Sequence, residues 1–189
     1  LIEAQPGQLI VPGFIDTHTH FMTGGYQLTA VQLKDARTPA EFIRRIRDYA
    51  KTQPAGTWIL GGLWDNENWG GELPTRDWID SVTQNHPVWI TRYDGHMSLG
   101  NSLALKAAGI SDKVKDVEGG TIVRDKKGRV TGAFKDNATA LVETSIPAPS
   151  AEQDDQALEA AMKYVASKGV TTIHNMSGSW DVFERAHQK

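Results

Sequence analysis

Short apolar strands alternating with capped helices constrain this chain more than any other feature of it. Thr38-Pro39 opens a helix as N-cap and first helical residue, and Phe42, Ile43, Ile46, Tyr49 and Ala50 recur at helical spacing. "TWILGGLW" (57–64) and "HPVWITRYD" (86–94) read as strands, the second rich in β-branched and aromatic residues. Pro74-Thr75 begins a short helix through Asp80, and "SLGNSLALKAAGI" (98–110) reads as another that Gly109 can end. Ser150 caps "AEQDDQALEAAMKYVASKG" (151–169), whose early acids suit the helix dipole, and "VTTIHNM" (170–176) is the next strand. Residues 119–134 break the pattern: two alternating runs flank Asp125-Lys126-Lys127-Gly128, which is a β-hairpin signature. Strand–helix alternation of this kind predicts an α/β fold with parallel strands.

The stretch "VPGFIDTHTHF" (11–21) adds chemistry to that frame. Val11, Phe14 and Ile15 predict a buried strand, and residues two apart on a strand share a face. His18 and His20 therefore project together, and two neutral imidazoles from one strand can bind a divalent metal such as zinc. The same spacing fits a polar strand end with two exposed histidines. The spacing alone does not separate the two.

Composition removes several classes. The 189 residues are 39% hydrophobic and 23% charged, which is ordinary for a globular domain with a core. A formal net charge of -3 gives no reason to expect a nucleic-acid or membrane partner. Cysteine is absent, so disulfides, thiolate metal sites and a cysteine nucleophile are excluded. No apolar run approaches the roughly 20 residues of a membrane span, and the start lacks the layout of a signal peptide. A cytoplasmic setting is the expectation. With three or four strand–helix units, against the roughly 250 residues of a complete (β/α)₈ barrel, the chain reads as part of a longer protein.

"LIVPGFIDTHTHF" resembles the first barrel strand of the amidohydrolase superfamily, whose hallmark is P-G-x-[IV]-D-x-H-x-H. "GGLWDNENWGGELPTRDWID", "PVWITRYDGHMSLGNSLALKAAGI", "GRVTGAFKDNA" and "GVTTIHNM" resemble, in order and spacing, the family 3 branch that includes the N-substituted formamide deformylases. The resemblance implies a partial TIM-type (β/α) barrel over 11–189 with an inserted β-hairpin at about 119–134, and residues 1–10 as the end of an N-terminal β-sandwich region. It implies a divalent metal, zinc first, held in part by His18 and His20. It also implies a small-molecule substrate with an amide- or formamide-like C–N bond. In the superfamily a bridging Lys or Glu, two later histidines and a late Asp complete the site, and those last three have no convincing counterparts before Lys189.

Other residues carry two readings each. Lys135 in "GAFKDNA" could, once carboxylated, bridge metals, but it follows the hairpin and fits a solvated face with Lys126, Lys127 and Arg129. The resemblance implies that His96 in "DGHMSLGNS" lines a substrate cavity, against a capping or packing role. Trp64 and Asp65 read as a pocket wall with a polar group or as structural residues, and Asn101 as substrate-binding or as satisfying nearby backbone. His174 ends a strand, where it faces the cavity or packs; relatives often have His-Asp where this chain has His174-Asn175. His86 and His187 read as surface residues. Two functions stay open: part of a metal-dependent amidohydrolase, or a non-catalytic α/β binding or assembly module with an incomplete metal site. Sheet edges left without partners predict self-association, or dependence on the rest of a longer chain. On that expectation "TWILGGLW", "PVWITRY" and "GVTTI" expose apolar surface.

Overall fold

The computed structural model describes residues 3–188. In chain order its elements are β1 (Phe14–Thr19), α1 (Phe21–Thr29), β2 (Val31–Gln32), α2 (Pro39–Ala50), β3 (Ile59–Trp64), α3 (Arg76–Ile79), β4 (Val88–Arg92), β5 (Met97–Gly100), α4 (Ser102–Ala107), β6 (Gly120–Arg124), β7 (Val130–Asp136), α5 (Ala140–Glu143), α6 (Ala151–Ser167), β8 (Val170–Asn175) and α7 (Trp180–His187). They form two compact units. One joins the chain up to Thr29 with the stretch from Pro149 on; the other is Ala30–Ala148.

The Ala30–Ala148 unit is a six-stranded sheet in the order β2-β3-β4-β5-β7-β6. β2, β3 and β4 are parallel, whereas β5, β7 and β6 run antiparallel to their neighbours. The sheet is thus mixed rather than all-parallel as expected. Part of the reason lies at Tyr93–His96, where Gly95 (φ +77°) turns the chain back along β4 and Leu99 pairs with Ile90. The predicted helix over 98–110 accordingly divides, with β5 first and the helix starting only at Ser102. The predicted hairpin is present as β6 and β7, its turn held by Asp125, which accepts from the N–H groups of Lys127 and Arg129.

Alternation along β4 buries both faces of this sheet. Val88 and Ile90 join Phe42, Ile46, Ile59, Trp64 and Leu99 in one cluster. Trp89 points the other way, to Leu105, Val130, Phe134 and Val142. α2 delivers Phe42 and Ile46 because Thr38 caps it: its Oγ1 accepts from the Glu41 N–H at 3.1 Å. "TWILGGLW" and "PVWITRY" are therefore core strands, and the expectation that they expose apolar surface is corrected for all but Leu60 and Tyr93. The helices and β6–β7 of the same unit supply the cover.

The other unit holds a two-stranded parallel sheet of β1 and β8 together with α1, α6 and α7. α6 starts at a capping box, Ser150 Oγ accepting from the Gln153 N–H and Gln153 Oε1 from the Ser150 N–H. Gly169 (φ +77°) ends it, and the Gly169 carbonyl accepts from the Phe14 N–H at 2.8 Å, which starts β1 beside β8. α1 has no counterpart in the sequence reading, since Gly24-Gly25 argues against a helix. Packing overrides propensity here: Phe21 and Met22 bury against Ala157, Leu158 and Ala161. A Cβ at Gly25 would sit 2.2 Å from the Ala157 carbonyl oxygen, so only glycine admits this approach. Tyr26 donates to Asp154 and Arg185 to Asp155, tying α1 and α7 to α6.

β1 departs from expectation. Phe14 and Ile15 are 58% and 60% exposed, and Val11 is exposed as well. A two-stranded sheet has an edge on each strand, and the strand predicted as buried has one strand partner where a core strand has two. Among the described residues no helix is long and apolar enough to cross a membrane.

Candidate functional site

The C-terminal ends of β1 and β8 are stitched together by polar groups that the His-x-His motif brings with it. Thr19 Oγ1 donates to the His174 carbonyl (3.3 Å), and the Met176 N–H donates to the Thr19 carbonyl (2.7 Å). Asn175 Oδ1 accepts from the Phe21 N–H at 3.0 Å, so the residue after His20 is anchored to the end of β8. His20 accepts from the Gly24 N–H and so begins α1. The result is that His18 and His20 lie side by side, ring centroids 5.6 Å apart and planes at 67°.

His20 Nδ1 is 2.7 Å from Ser177 Oγ, which fixes the ring and leaves Nε2 as its free nitrogen. Ser177 also lines an open cleft of about 400 Å³ with Ile173, Asn175, Gly178, Trp180 and Phe183. That volume suits a small molecule, and its lining mixes aromatic walls with a few polar groups. Ser177 was not singled out from sequence; the only signal is its position two residues beyond a strand end. His174, expected to face a cavity or pack, is exposed on β8. Among the described residues no three His, Cys, Asp or Glu side chains come together as a metal site. His18 and His20 thus fit a divalent metal as part of a donor set, and not as a whole one.

In the Ala30–Ala148 unit a second polar constellation gathers at the turn between β4 and β5. Arg92, which sequence reasoning missed, reaches Asp65 through Nη2 (3.3 Å) and Asp94 through Nη1 (2.9 Å). Asp94 Oδ1 accepts from the His96 N–H at 3.0 Å, and His96 Nδ1 lies 3.0 Å from Asp136 Oδ1. Asp65 and His96, singled out separately from sequence, are thereby joined in one network. Asp136 was also missed. It closes β7 at φ +49° and ψ -130°, a sparsely populated conformation for a residue with a side chain, costing about 1–3 kcal/mol.

Other residues take structural roles. Trp64 is 0% exposed and its Nε1 donates to the Ile90 carbonyl, so the pocket-wall reading is corrected to core. Asn101 is buried with all four polar positions used. Oδ1 accepts from the Val88 and Ala104 N–H groups, and Nδ2 donates to Thr83 Oγ1 and the His86 carbonyl. It has nothing left for a substrate. His86, expected on the surface, is buried, with Nδ1 3.1 Å from the Thr57 carbonyl; Pro87 carries it into the start of β4. His187 is exposed. Lys135 is half-buried on β7, paired with Met97 and Thr121 on antiparallel neighbours, whereas the bridging lysine of the resemblance belongs to a parallel strand.

Comparison with known proteins follows the same residues. The sequence profile of the amidohydrolase family matches residues 6–189. The chain is 44% identical over 167 residues to Protein LONG AFTER FAR-RED 3 of Arabidopsis thaliana, covering 88% of this chain and 29% of that one. It is 31% identical over 160 residues to the N-substituted formamide deformylase of Arthrobacter pascens, covering 81% and 29%. The crystal structure of an uncharacterized metal-dependent hydrolase from Pyrococcus horikoshii superposes with a TM-score of 0.66 at 22% identity, over 94% of this chain and 33% of that one. That likeness is one of fold. The chain spans about a third of the length of the relatives it matches. With the His-x-His strand at its start and the family profile matched over nearly its whole length, the chain belongs to the amidohydrolase family.

Proposed function

We propose that the chain contributes part of the active site of a metal-dependent hydrolase that cleaves a non-peptide C–N bond, amide or formamide-like, in a small molecule. One observation carries the reading: two adjacent imidazoles at the C-terminal end of a parallel strand, beside a cleft of about 400 Å³, in a chain of the amidohydrolase family. The location is where (β/α) barrels place their chemistry, and the parallel strands are read as part of a TIM-type barrel with β6 and β7 as its insertion. His18 and His20 would hold the metal, zinc being one of the ions that imidazole donors suit. Such a metal, when bound, polarises a carbonyl and makes a water acidic enough to serve as hydroxide near neutral pH. The chain's own residues orient and enclose: Ser177 holds the His20 ring, and Trp180 and Phe183 wall the cleft.

The absence of a third donor among the described residues favours a second reading, a binding or assembly module with an incomplete site. One experiment separates them. Zinc titrated into the chain by calorimetry is expected to bind one ion per chain, and His18→Ala or His20→Ala to abolish it. Binding that ignores both substitutions overturns the hydrolase reading. Two imidazoles fall short of the three protein ligands a catalytic zinc keeps, so turnover of N-acyl and N-formyl amines by the chain as it stands is expected to be weak or nil. Robust turnover that depends on both histidines would reveal donors beyond this pair.

A further inference from the structure

We propose that Ser177 is a relay between the cleft and His20: an occupant whose carbonyl oxygen takes the Ser177 hydroxyl proton moves the His20 ring proton to Nδ1 and leaves the lone pair on Nε2 for a metal. The proposal deepens the hydrolase reading, and it rests on that reading only for the use of Nε2. The 2.7 Å contact between His20 Nδ1 and Ser177 Oγ can be made in two ways. With the ring proton on Nε2, the hydroxyl donates to Nδ1 and has nothing to offer the cleft. With it on Nδ1, the ring donates, the serine oxygen accepts, and the hydroxyl proton is free. A hydroxyl has one proton, so the two arrangements exclude each other. In passing from the first to the second, the ring gives a proton to solvent at Nε2 and takes one at Nδ1. Its charge does not change.

The cleft is built to read that choice. Ser177 lines it, and among the described residues Ser177 Oγ has no partner besides His20. Asn175, also in the lining, is spent: Oδ1 accepts from the Phe21 N–H at 3.0 Å, and Nδ2 donates to the carbonyls of Ser177 and Gly178. A carbonyl oxygen that enters therefore finds the amide engaged and the hydroxyl able to donate. The same asparagine braces the contact at both ends, since it grips the backbone of Ser177 and the residue next to His20. A hydrogen bond held this way is preorganised, with little freedom to drift off the ring. Trp180, 77% exposed in the same lining, offers an aromatic face to the body of the occupant. The ligand class is thus an aromatic or apolar body that carries one carbonyl oxygen.

The test uses the metal-free 189-residue chain and nitrogen NMR of the His20 ring at mildly alkaline pH, where a free imidazole is neutral. Two probes differ in one oxygen: acetanilide carries the carbonyl, and N-ethylaniline has a methylene in its place. Acetanilide is expected to move the His20 proton toward Nδ1 saturably, and N-ethylaniline to leave it where it was. Ser177→Ala is expected to abolish the response and to weaken acetanilide about three- to tenfold, the factor of one hydrogen bond, with N-ethylaniline unaffected. A ring that ignores acetanilide, moves equally with both probes, or still responds in Ser177→Ala overturns the proposal. Where zinc binds His18 and His20, coupling is reciprocal: acetanilide should tighten zinc by the same factor by which zinc tightens acetanilide. A factor of one would also overturn it. Zinc that binds without either histidine sinks the hydrolase reading, and the metal-free spectra then decide the relay alone.

Discussion

The two units bury their apolar strand residues to very different extents. In Ala30–Ala148, apolar strands are sandwiched on both faces, and Phe42, Ile59, Trp64 and Ile90 have no exposed surface. In the other unit β1, whose first two residues are apolar, leaves Phe14 and Ile15 more than half exposed. β1 (FIDTHT) is more polar along its length than β3 (ILGGLW) or β4 (VWITR), but Phe14 and Ile15 at its start are as apolar as any residue of those strands. What differs is the number of neighbours: β4 lies between two strands and under helices, and β1 has β8 alone. An apolar strand states a demand for cover, and the tertiary structure decides where that demand is met.

Substitutions in the two units should separate this contrast cleanly. Trp64→Ala is expected to cost about 3–5 kcal/mol, since it empties a full core position and removes the hydrogen bond to the Ile90 carbonyl. Ile15→Ser should change stability by no more than about 0.5 kcal/mol. Urea unfolding followed by circular dichroism measures both, and comparable losses would break the comparison. Asn101→Ala comes next, at about 3 kcal/mol, because the Val88 N–H and the His86 carbonyl lose their partner inside the core.

The exposed strand pair also makes a statement about association. We propose that the open edges and the Phe14–Ile15 surface draw a second copy of the chain, or the rest of a longer one. Light scattering across a dilution series should show self-association, and Phe14→Ser with Ile15→Ser should raise the dissociation constant at least about tenfold, or 1.4 kcal/mol. A wild-type chain that stays monomeric at every concentration would show that this surface is tolerated as it is.

The smallest effect concerns how the less-covered unit holds its helices. Burial, and then the hydrogen bond to Asp154, push the Tyr26 phenol up to about 12; Asp181 adds to the rise and Arg185 opposes it. Below the ordinary phenol pKa, near 10, this contribution is fully present. Between there and about 12 the unfolded chain releases a proton that the folded chain keeps, so stability falls as pH rises through that window. Tyr26→Phe is expected to cost about 1 kcal/mol or less at neutral pH and to flatten the decline up to about pH 11. A decline equally steep in the variant would remove Tyr26 from the account.

The sequence by itself determined the elements whose signals are local. Thr38-Pro39 and Ser150 cap their helices as read, Asp125–Gly128 turns the hairpin, Gly169 ends α6, and the i, i+2 spacing sets His18 beside His20. Caps, turns and strand periodicity act over a few residues, so a few residues suffice to read them. Only the tertiary structure decided what depends on residues far apart in the chain. Gly25 fits a helix because Ala157 lies against it, 132 positions on. Asn101 is spent on Val88 and His86, Ser177 holds His20, and Asp136 meets His96 across the pairing of β5 with β7. Those partnerships are set by strand order and helix packing, which local propensity does not encode. Whether an apolar strand is buried or an asparagine is free for a ligand is a property of its neighbours.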